Sequence, residues 1–477
     1  MISTILIFPI IACLLMFLVR KNAFSTIMIN LYALVHFVVT ALMAINFQKM
    51  SFATKYFALD NTNLIFLIVL SLVFAMVAMY NNGYVKHLEF SERRIRFYSA
   101  MILIFVLSMT GTILSTDLAI SWILIEATTL SSAYLIYFNK TKHAIEAAWK
   151  YVFMCSIGIA LAFVGIILLN ISSGTINTTN FAQLYENAAT FDIVWLKLAF
   201  VFMLFGFGVK MGLAPGHFWL PDAHSEAPSP ISALLSATLL NSAFLVIVRV
   251  FKIMEIANCT SYAKLLLFIM GFLSLFVTTV FVYHIKNYKR MLAYSSIENM
   301  GILAIGMALG GVAYFAVVLH LIGHSLAKAS FFLTSGNVLE LFESKRIKSV
   351  NGLIKADEKT GWLWICSFLA ICAFPTSVLF ISEFLMIKTM IFQKHYILCA
   401  LFALLLTIIL FGIGRVVIKM SFGELSTDKA KVVENNKNKI SFWMYLPQII
   451  MLILVFTLGI YLPKCFDNII TLAALAF

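Results

Sequence analysis

The chain has 477 residues, of which 62% are hydrophobic and only 12% charged, and its mean hydropathy is +0.99. Soluble domains carry about half apolar residues, so this composition excludes an ordinary soluble enzyme and defines a polytopic membrane protein. Seven cysteines without a CxxC pair leave a disulfide framework, a structural metal and an iron–sulfur cluster unsupported.

Windows long enough to cross about 30 Å of hydrocarbon fall at 2–19, 23–45, 62–82, 95–114, 116–138, 145–169 and 192–224, then at 228–251, 264–285, 291–309, 312–338, 361–393, 397–420 and 442–462. The first has no charged stretch before it and no small-residue cleavage site after it, so it reads as a span and not as a removed signal. The expected fold is all-α, with about fourteen transmembrane helices. Windows 192–224 and 361–393 are too long for one straight span, and each holds a proline, Pro215 and Pro375, so the seventh and twelfth helices read as discontinuous. In the seventh, GFGVKMGLAPGHFWLPDAHSEAPSP (206–230) sets Lys210 at about mid-membrane depth beside the Ala214–Pro215–Gly216 break.

The two broken helices are five apart in the count. Helices four to eight and nine to thirteen are therefore candidates for two five-helix units, inverted because five is odd. The chain divides accordingly into 1–94 (helices one to three), 95–252, 253–420, and 421–477 (a cytoplasmic loop and helix fourteen).

Loop charges orient the bundle. One alternating set of loops holds most of the lysines and arginines, among them Arg20, Lys86, Arg94, Lys140, Lys289 and Lys345; the other set holds Lys49, Lys55, Lys252, Lys264, Lys394 and Lys464. The positive-inside rule makes the basic set cytoplasmic. Both termini are then periplasmic in a bacterial inner membrane, and the net charge of +13 reflects topology and not a nucleic-acid surface.

A charge at mid-bilayer must be paired, hydrated or neutral. Glu126, in SWILIEATTL of the fifth helix, has no basic neighbour in its own run, and Lys210 is its expected partner. His320, His324 and Lys328, in LHLIGHSLAKASFF, recur every four residues and so stack on one helix face. That pattern suits a proton relay, and it also suits helix-to-helix hydrogen bonding. It fits zinc less well, because no third ligand is near and the HExxH glutamate is absent.

Glu383, in ISEFLMIK, lies eight residues past Pro375, with Lys388 as an alternative partner for a purely structural carboxylate. Glu298 and Lys150 lie about two turns inside the tenth and sixth helices, where a functional role and snorkelling to the edge are both open. Asn241, in the eighth helix, can bridge waters but cannot titrate, while Arg249 nearby reads as an interfacial anchor. Asp222, His224 and Glu226 form a membrane-edge loop, either a solvated turn or a point of proton uptake. No dinucleotide loop, Walker motif or haem-attachment motif is present, so no redox centre, metal or cofactor is expected in this chain.

The stretches FGVKMGLAPGHFWLPDAHSEAPSPISALLSATLL, YSSIENMGILAIG and HSLAKASFFLTSGNV strongly resemble the antiporter-like proton-translocating membrane subunits of respiratory complex I and its relatives. Within that superfamily, WILIEATTLSSAYLIYF, EAAWKYVFMCSIGIAL and SSIENMGI look most like the component F group of hydrogenase-4, among the membrane-bound group 4 hydrogenases. The similarity covers most of helices four to thirteen.

It implies two inverted five-helix repeats and a hydrated midplane axis. On that axis Glu126 and Lys210 form the coupled pair, His320, His324 and Lys328 the central relay, and Glu383 the twelfth-helix site. Asn241 departs from the pattern, since many relatives have lysine or histidine near this place. The chain is also expected to stop after helix fourteen, without the long lateral helix of the largest complex I subunit.

The resemblance further implies other membrane subunits and a peripheral redox arm as partners, with nickel–iron, iron–sulfur or quinone sites in those partners. The function expected is proton pumping coupled to a hydrogenase-4-like or complex I-like oxidoreductase. Three rivals are a subunit of a multi-subunit cation/proton antiporter, a non-conducting scaffold for a redox arm, and a subunit of an inorganic-carbon uptake system.

Overall fold

The computed structural model describes residues 1–87, 90–425 and 427–477; among them the chain is helical, with β pairing confined to isolated bridges in loops. Helices α1 (Ile2–Val19), α2 (Asn22–Ile45) and α3 (Asn63–Tyr84) come first. They are followed by α4 (Glu92–Leu114), α5 (Leu118–Ile136), α6 (Lys142–Ser173), α7a (Ile193–Met211), α7b (Trp219–Glu226) and α8 (Ser229–Ile256). The second part comprises α9 (Thr260–Val282), α10 (Tyr288–Leu309), α11 (Val312–Phe342), α12a (Glu358–Ile371), α12b (Val378–Phe392) and α13 (Tyr396–Phe422). The chain ends in α14 (Leu446–Ile460) and α15 (Lys464–Ala476). Thirteen helices of the described residues are each long and apolar enough to span a bilayer, and the two halves of α12 supply the fourteenth span. Every window marked in the sequence coincides with a span to within a few residues.

Local chemistry sets many of the helix starts. Asp117, Thr141, Asp192, Asn287 and Ser377 accept hydrogen bonds from first-turn backbone N–H groups of α5, α6, α7a, α10 and α12b, satisfying donors that have no partner inside the helix. At the seventh-helix break the freed groups also find partners. The Ala214 N–H donates to Ser274 Oγ of α9 at 2.9 Å, and the Trp219 indole N–H donates to the Val209 carbonyl at 2.8 Å. Irregular backbone is tolerated at membrane depth only under such cover. The twelfth-helix break is tighter, with Ala373 and Thr376 at φ 52 and 97.

Helix contacts repeat with an offset of five: α4 on α5 is matched by α9 on α10, α5 on α6 by α10 on α11, and α6 on α7a by α11 on α12b. An odd number of spans per unit inverts the second unit relative to the first. The apolar windows of α8, α10 and α11 are wholly buried, whereas those of α1, α2, α9 and α13 are mostly open to the surroundings. The three central helices also carry Asn241, Lys289, Asn299, His320, His324 and Lys328, all buried away from the lipid-facing surface.

Several elements lie outside the sequence reading, among them the helix Thr427–Lys437 in the loop before α14. A π-helical turn, Leu235–Leu239, interrupts α8 just before Asn241. A short helix, Phe181–Asn187, stands in the loop after α6. Beyond the last span, α15 packs against α11 and α3.

Candidate functional site

The axis starts on α5. Glu126 and Lys210 make no direct ion pair; Thr129 stands between them. Its hydroxyl donates to Glu126 Oε2 at 3.1 Å and accepts from Lys210 Nζ at 2.8 Å. Lys210 Nζ also donates to Tyr151 OH at 2.7 Å, and that hydroxyl pairs with Ser132 Oγ at 2.6 Å. Lys210 is fully buried, so its ammonium is held by hydroxyls and the Tyr151 ring face at 4.7 Å. A dry ammonium needs this much compensation. Glu126 is half-buried, with Ser156 Oγ donating to its other oxygen at 3.3 Å.

Across the seam, Asn241 Nδ2 donates to Ser325 Oγ at 2.8 Å, joining α8 to the relay helix one residue from His324. Asn241 Oδ1 and both ring nitrogens of His324 are buried without a protein partner. Such atoms are what bridging water satisfies. The π turn widens α8 immediately upstream, a common feature at functional positions. Lys328 Nζ donates to the Leu292 carbonyl of α10 at 2.8 Å.

His320 reaches two helices at once. Nε2 lies 3.1 Å from Asn299 Oδ1 and Nδ1 lies 2.9 Å from Ser382 Oγ. Each contact is the immediate neighbour of a carboxylate, Glu298 on α10 and Glu383 on α12b. Those two carboxylates line a cavity of about 240 Å³ with Cys372 and Thr407, at the twelfth-helix break. Among the described residues Glu383 makes no ion pair with Lys388.

The membrane-edge loop divides. Asp222 binds Lys150 at 3.2 Å and Arg290 at 3.0 Å on the rim of a polar vestibule of about 620 Å³, and Glu226 of the same rim binds Lys345 at 3.0 Å. Lys150, half exposed and also paired with Glu146 at 2.6 Å, belongs to this rim and not to the axis. His224, by contrast, is fully buried, stacks on Phe332 at 4.8 Å, and has no hydrogen-bond partner on either nitrogen.

Two residues differ from their sequence reading. Lys289, counted among the loop charges, is fully buried and donates to the Ala227 carbonyl at 2.6 Å. Its position at a helix start carries no signal of burial. Arg249 is not an interfacial anchor: it is 5% exposed and binds the Ser115 and Ile113 carbonyls and Asp60.

Fourteen spans, two broken helices at matching places and a buried line of lysine, histidine and glutamate define an antiporter-like membrane subunit. The chain belongs to the NADH:quinone oxidoreductase/Mrp antiporter transmembrane family, whose profile it matches over residues 115–410. It is 32% identical over 472 residues to the hydrogenase-4 component F homolog of Methylacidiphilum infernorum (isolate V4), which spans 97% of this chain and 96% of that one. Its fold matches a chain of the membrane-bound sulfane sulfur reductase, an archaeal respiratory membrane complex, with a TM-score of 0.86, 23% identity and coverage of 99% and 96%. It also matches a chain of the Mrp complex from Dietzia sp. DQ12-45-1b, with a TM-score of 0.86, 17% identity and coverage of 100% and 96%. These relatives are subunits of multi-subunit membrane complexes.

Proposed function

We propose that this chain is the proton-translocating membrane subunit of a hydrogenase-4-like oxidoreductase, without a redox centre of its own. The observation that carries the reading is a set of polar groupings along the bundle, Glu126–Thr129–Lys210, Asn241–Ser325 beside His324, and His320 with Asn299 and Ser382 next to Glu298 and Glu383, with Lys328 on the same helix as His320. Redox work in partner subunits changes the field at Glu126 and Lys210. A proton then moves by hydroxyls, water and imidazole toward the cavity at Glu298 and Glu383, with His224 behind the cytoplasmic vestibule as an uptake point. Nickel–iron, iron–sulfur or quinone chemistry belongs to the partners.

Glu126 also supports a membrane partner. It is half-open on a face otherwise lined by Ile123, Leu130 and Phe153, and a carboxylate facing bare hydrocarbon is costly. A neighbouring subunit's membrane segment with a polar or cationic group would offset that cost.

The test is Lys210→Ala in the intact complex in inverted membrane vesicles. Assembly and electron transfer should persist while proton uptake falls at least roughly a hundredfold, the low end for losing a proton-transfer group. Uptake at the wild-type rate would sink the reading. Strict dependence of uptake on sodium would favour a cation/proton antiporter instead.

A further inference from the structure

We propose that Ser382 is the hydroxyl that couples the charge of His320 to the half-helix bearing Glu383, and that Gly323 and Gly459 are the positioning residues that hold it there. The inference rests on the proton-translocating reading and assigns it a connecting group.

The hydrogen-bond directions carry the argument. Asn299 Nδ2 donates to the Ser295 carbonyl at 2.7 Å, so its oxygen faces His320 and can only accept. Nε2 of His320 therefore carries a hydrogen in both charge states. The change on protonation falls on Nδ1, which faces Ser382 Oγ. In the neutral ring Nδ1 is an acceptor, and the Ser382 hydroxyl donates to it. When a proton arrives, Nδ1–H becomes the donor, and the Ser382 hydroxyl turns to the Leu379 carbonyl, 2.7 Å away. One rotation of one hydroxyl thus registers one proton. The carbonyl it turns to lies four residues before Glu383, so it is the one that accepts the Glu383 backbone N–H in the helix.

This works only if α12b is held against α11 in register, and two close approaches hold it. Gly323 sits between His320 and His324, and a Cβ there would lie 2.5 Å from Val378 Cγ1 and 3.0 Å from Leu379 Cγ. Gly459 of α14 presses on the break from the other side, where a Cβ would lie 2.2 Å from the Thr376 carbonyl oxygen and 2.5 Å from the Ser377 carbonyl carbon. The clamped segment includes Thr376 at φ 97, a conformation that side-chain-bearing residues adopt only under constraint. The first turn of α12b is therefore gripped by two helices that have no side chain at the contact.

The test combines two readouts on the full chain. Solid-state NMR of ¹⁵N-histidine-labelled protein in bilayers, with the His320 signals assigned by a His320→Gln difference, reports the state of Nδ1. Proton uptake is measured on the intact complex in vesicles. Ser382→Ala should move the Nδ1 signal and slow uptake about tenfold, on the order of one hydrogen bond's coupling; Ser382→Thr should restore both. Gly323→Ala should act like Ser382→Ala, and adding Val378→Ala should reopen the space and bring both readouts back. This rescue keeps the idea testable if Gly323→Ala alone fails to fold.

An unmoved Nδ1 signal, or normal uptake in Ser382→Ala, overturns the inference. If Lys210→Ala abolishes uptake and Ser382→Ala does not, the proton-translocating reading stands and the Ser382 inference falls. If Lys210→Ala leaves uptake intact, the reading itself falls, and the inference with it.

Discussion

Thr129 decides how Glu126 and Lys210 communicate. A hydroxyl that accepts from the ammonium and donates to the carboxylate keeps the two charges coupled without letting them collapse into a tight pair. A direct pair at this depth would hold its proton poorly exchangeable, because Coulomb attraction is strong in a low dielectric. Thr129→Val keeps the shape and removes the bridge. Proton uptake by the complex should drop roughly tenfold and return in Thr129→Ser, since the expected effect is that of one charge-assisted hydrogen bond; equal loss in both variants would assign Thr129 to steric fit alone.

Arg249 is a structural charge. It fastens the end of α8 to the end of α4 and to Asp60, with the Phe181 ring 5.0 Å from its guanidinium. Because Asp60 is half exposed, losing the pair costs less than a fully buried one, about 2 kcal/mol. Arg249→Ala should lower the thermal midpoint of the detergent-solubilised protein. Arg249→Lys should recover only part, because an ammonium cannot span three acceptors in the fork geometry of guanidinium. An unchanged midpoint in Arg249→Ala would show that the loop contacts hold without it.

Among the helices, α8 and α12 matter through their irregularities. The π turn and Asn241 on α8 stand where the two five-helix units meet, and Asn241 hydrogen-bonds to Ser325 of α11. Asparagine passes a proton only by ordering water, so Asn241→Leu should slow proton uptake while leaving assembly intact. Asn241→His, which supplies a titrating group, should keep uptake near the wild-type rate. Stopped-flow pH indicator measurements on vesicles distinguish them, and equal rates in all three would remove Asn241 from the path. The breaks in α7 and α12 were legible as prolines in overlong windows. The π turn was not, because LSATL has no residue that forbids a regular helix, and its register follows from contacts with neighbouring helices.

For the molecule as a whole, the expected orientation is testable at one cysteine. Cys465 is exposed on α15, just past the last span. If both termini are periplasmic, a membrane-impermeant maleimide should label Cys465 in intact cells with a permeabilised outer membrane. Labelling only in inverted vesicles would reverse the topology. Lys345, paired with Glu226 at the vestibule, then faces the cytoplasm.

The sequence alone determined the class, the spans, the two breaks and the identity of the ionisable residues at membrane depth, because hydrocarbon thickness and the cost of buried charge act directly on residue order. It could not decide which of those residues touch. Lys210 meets Glu126 through a threonine three residues away, His320 touches Ser382, the chain neighbour of Glu383, and Lys289 is buried beneath Ala227. Serines and threonines at helical spacing look alike whether they back-bond to their own helix or reach across to another. Only the tertiary structure brings Thr129 of α5 to Lys210 of α7a and α11 to α12b, the latter at the close approach that Gly323 allows.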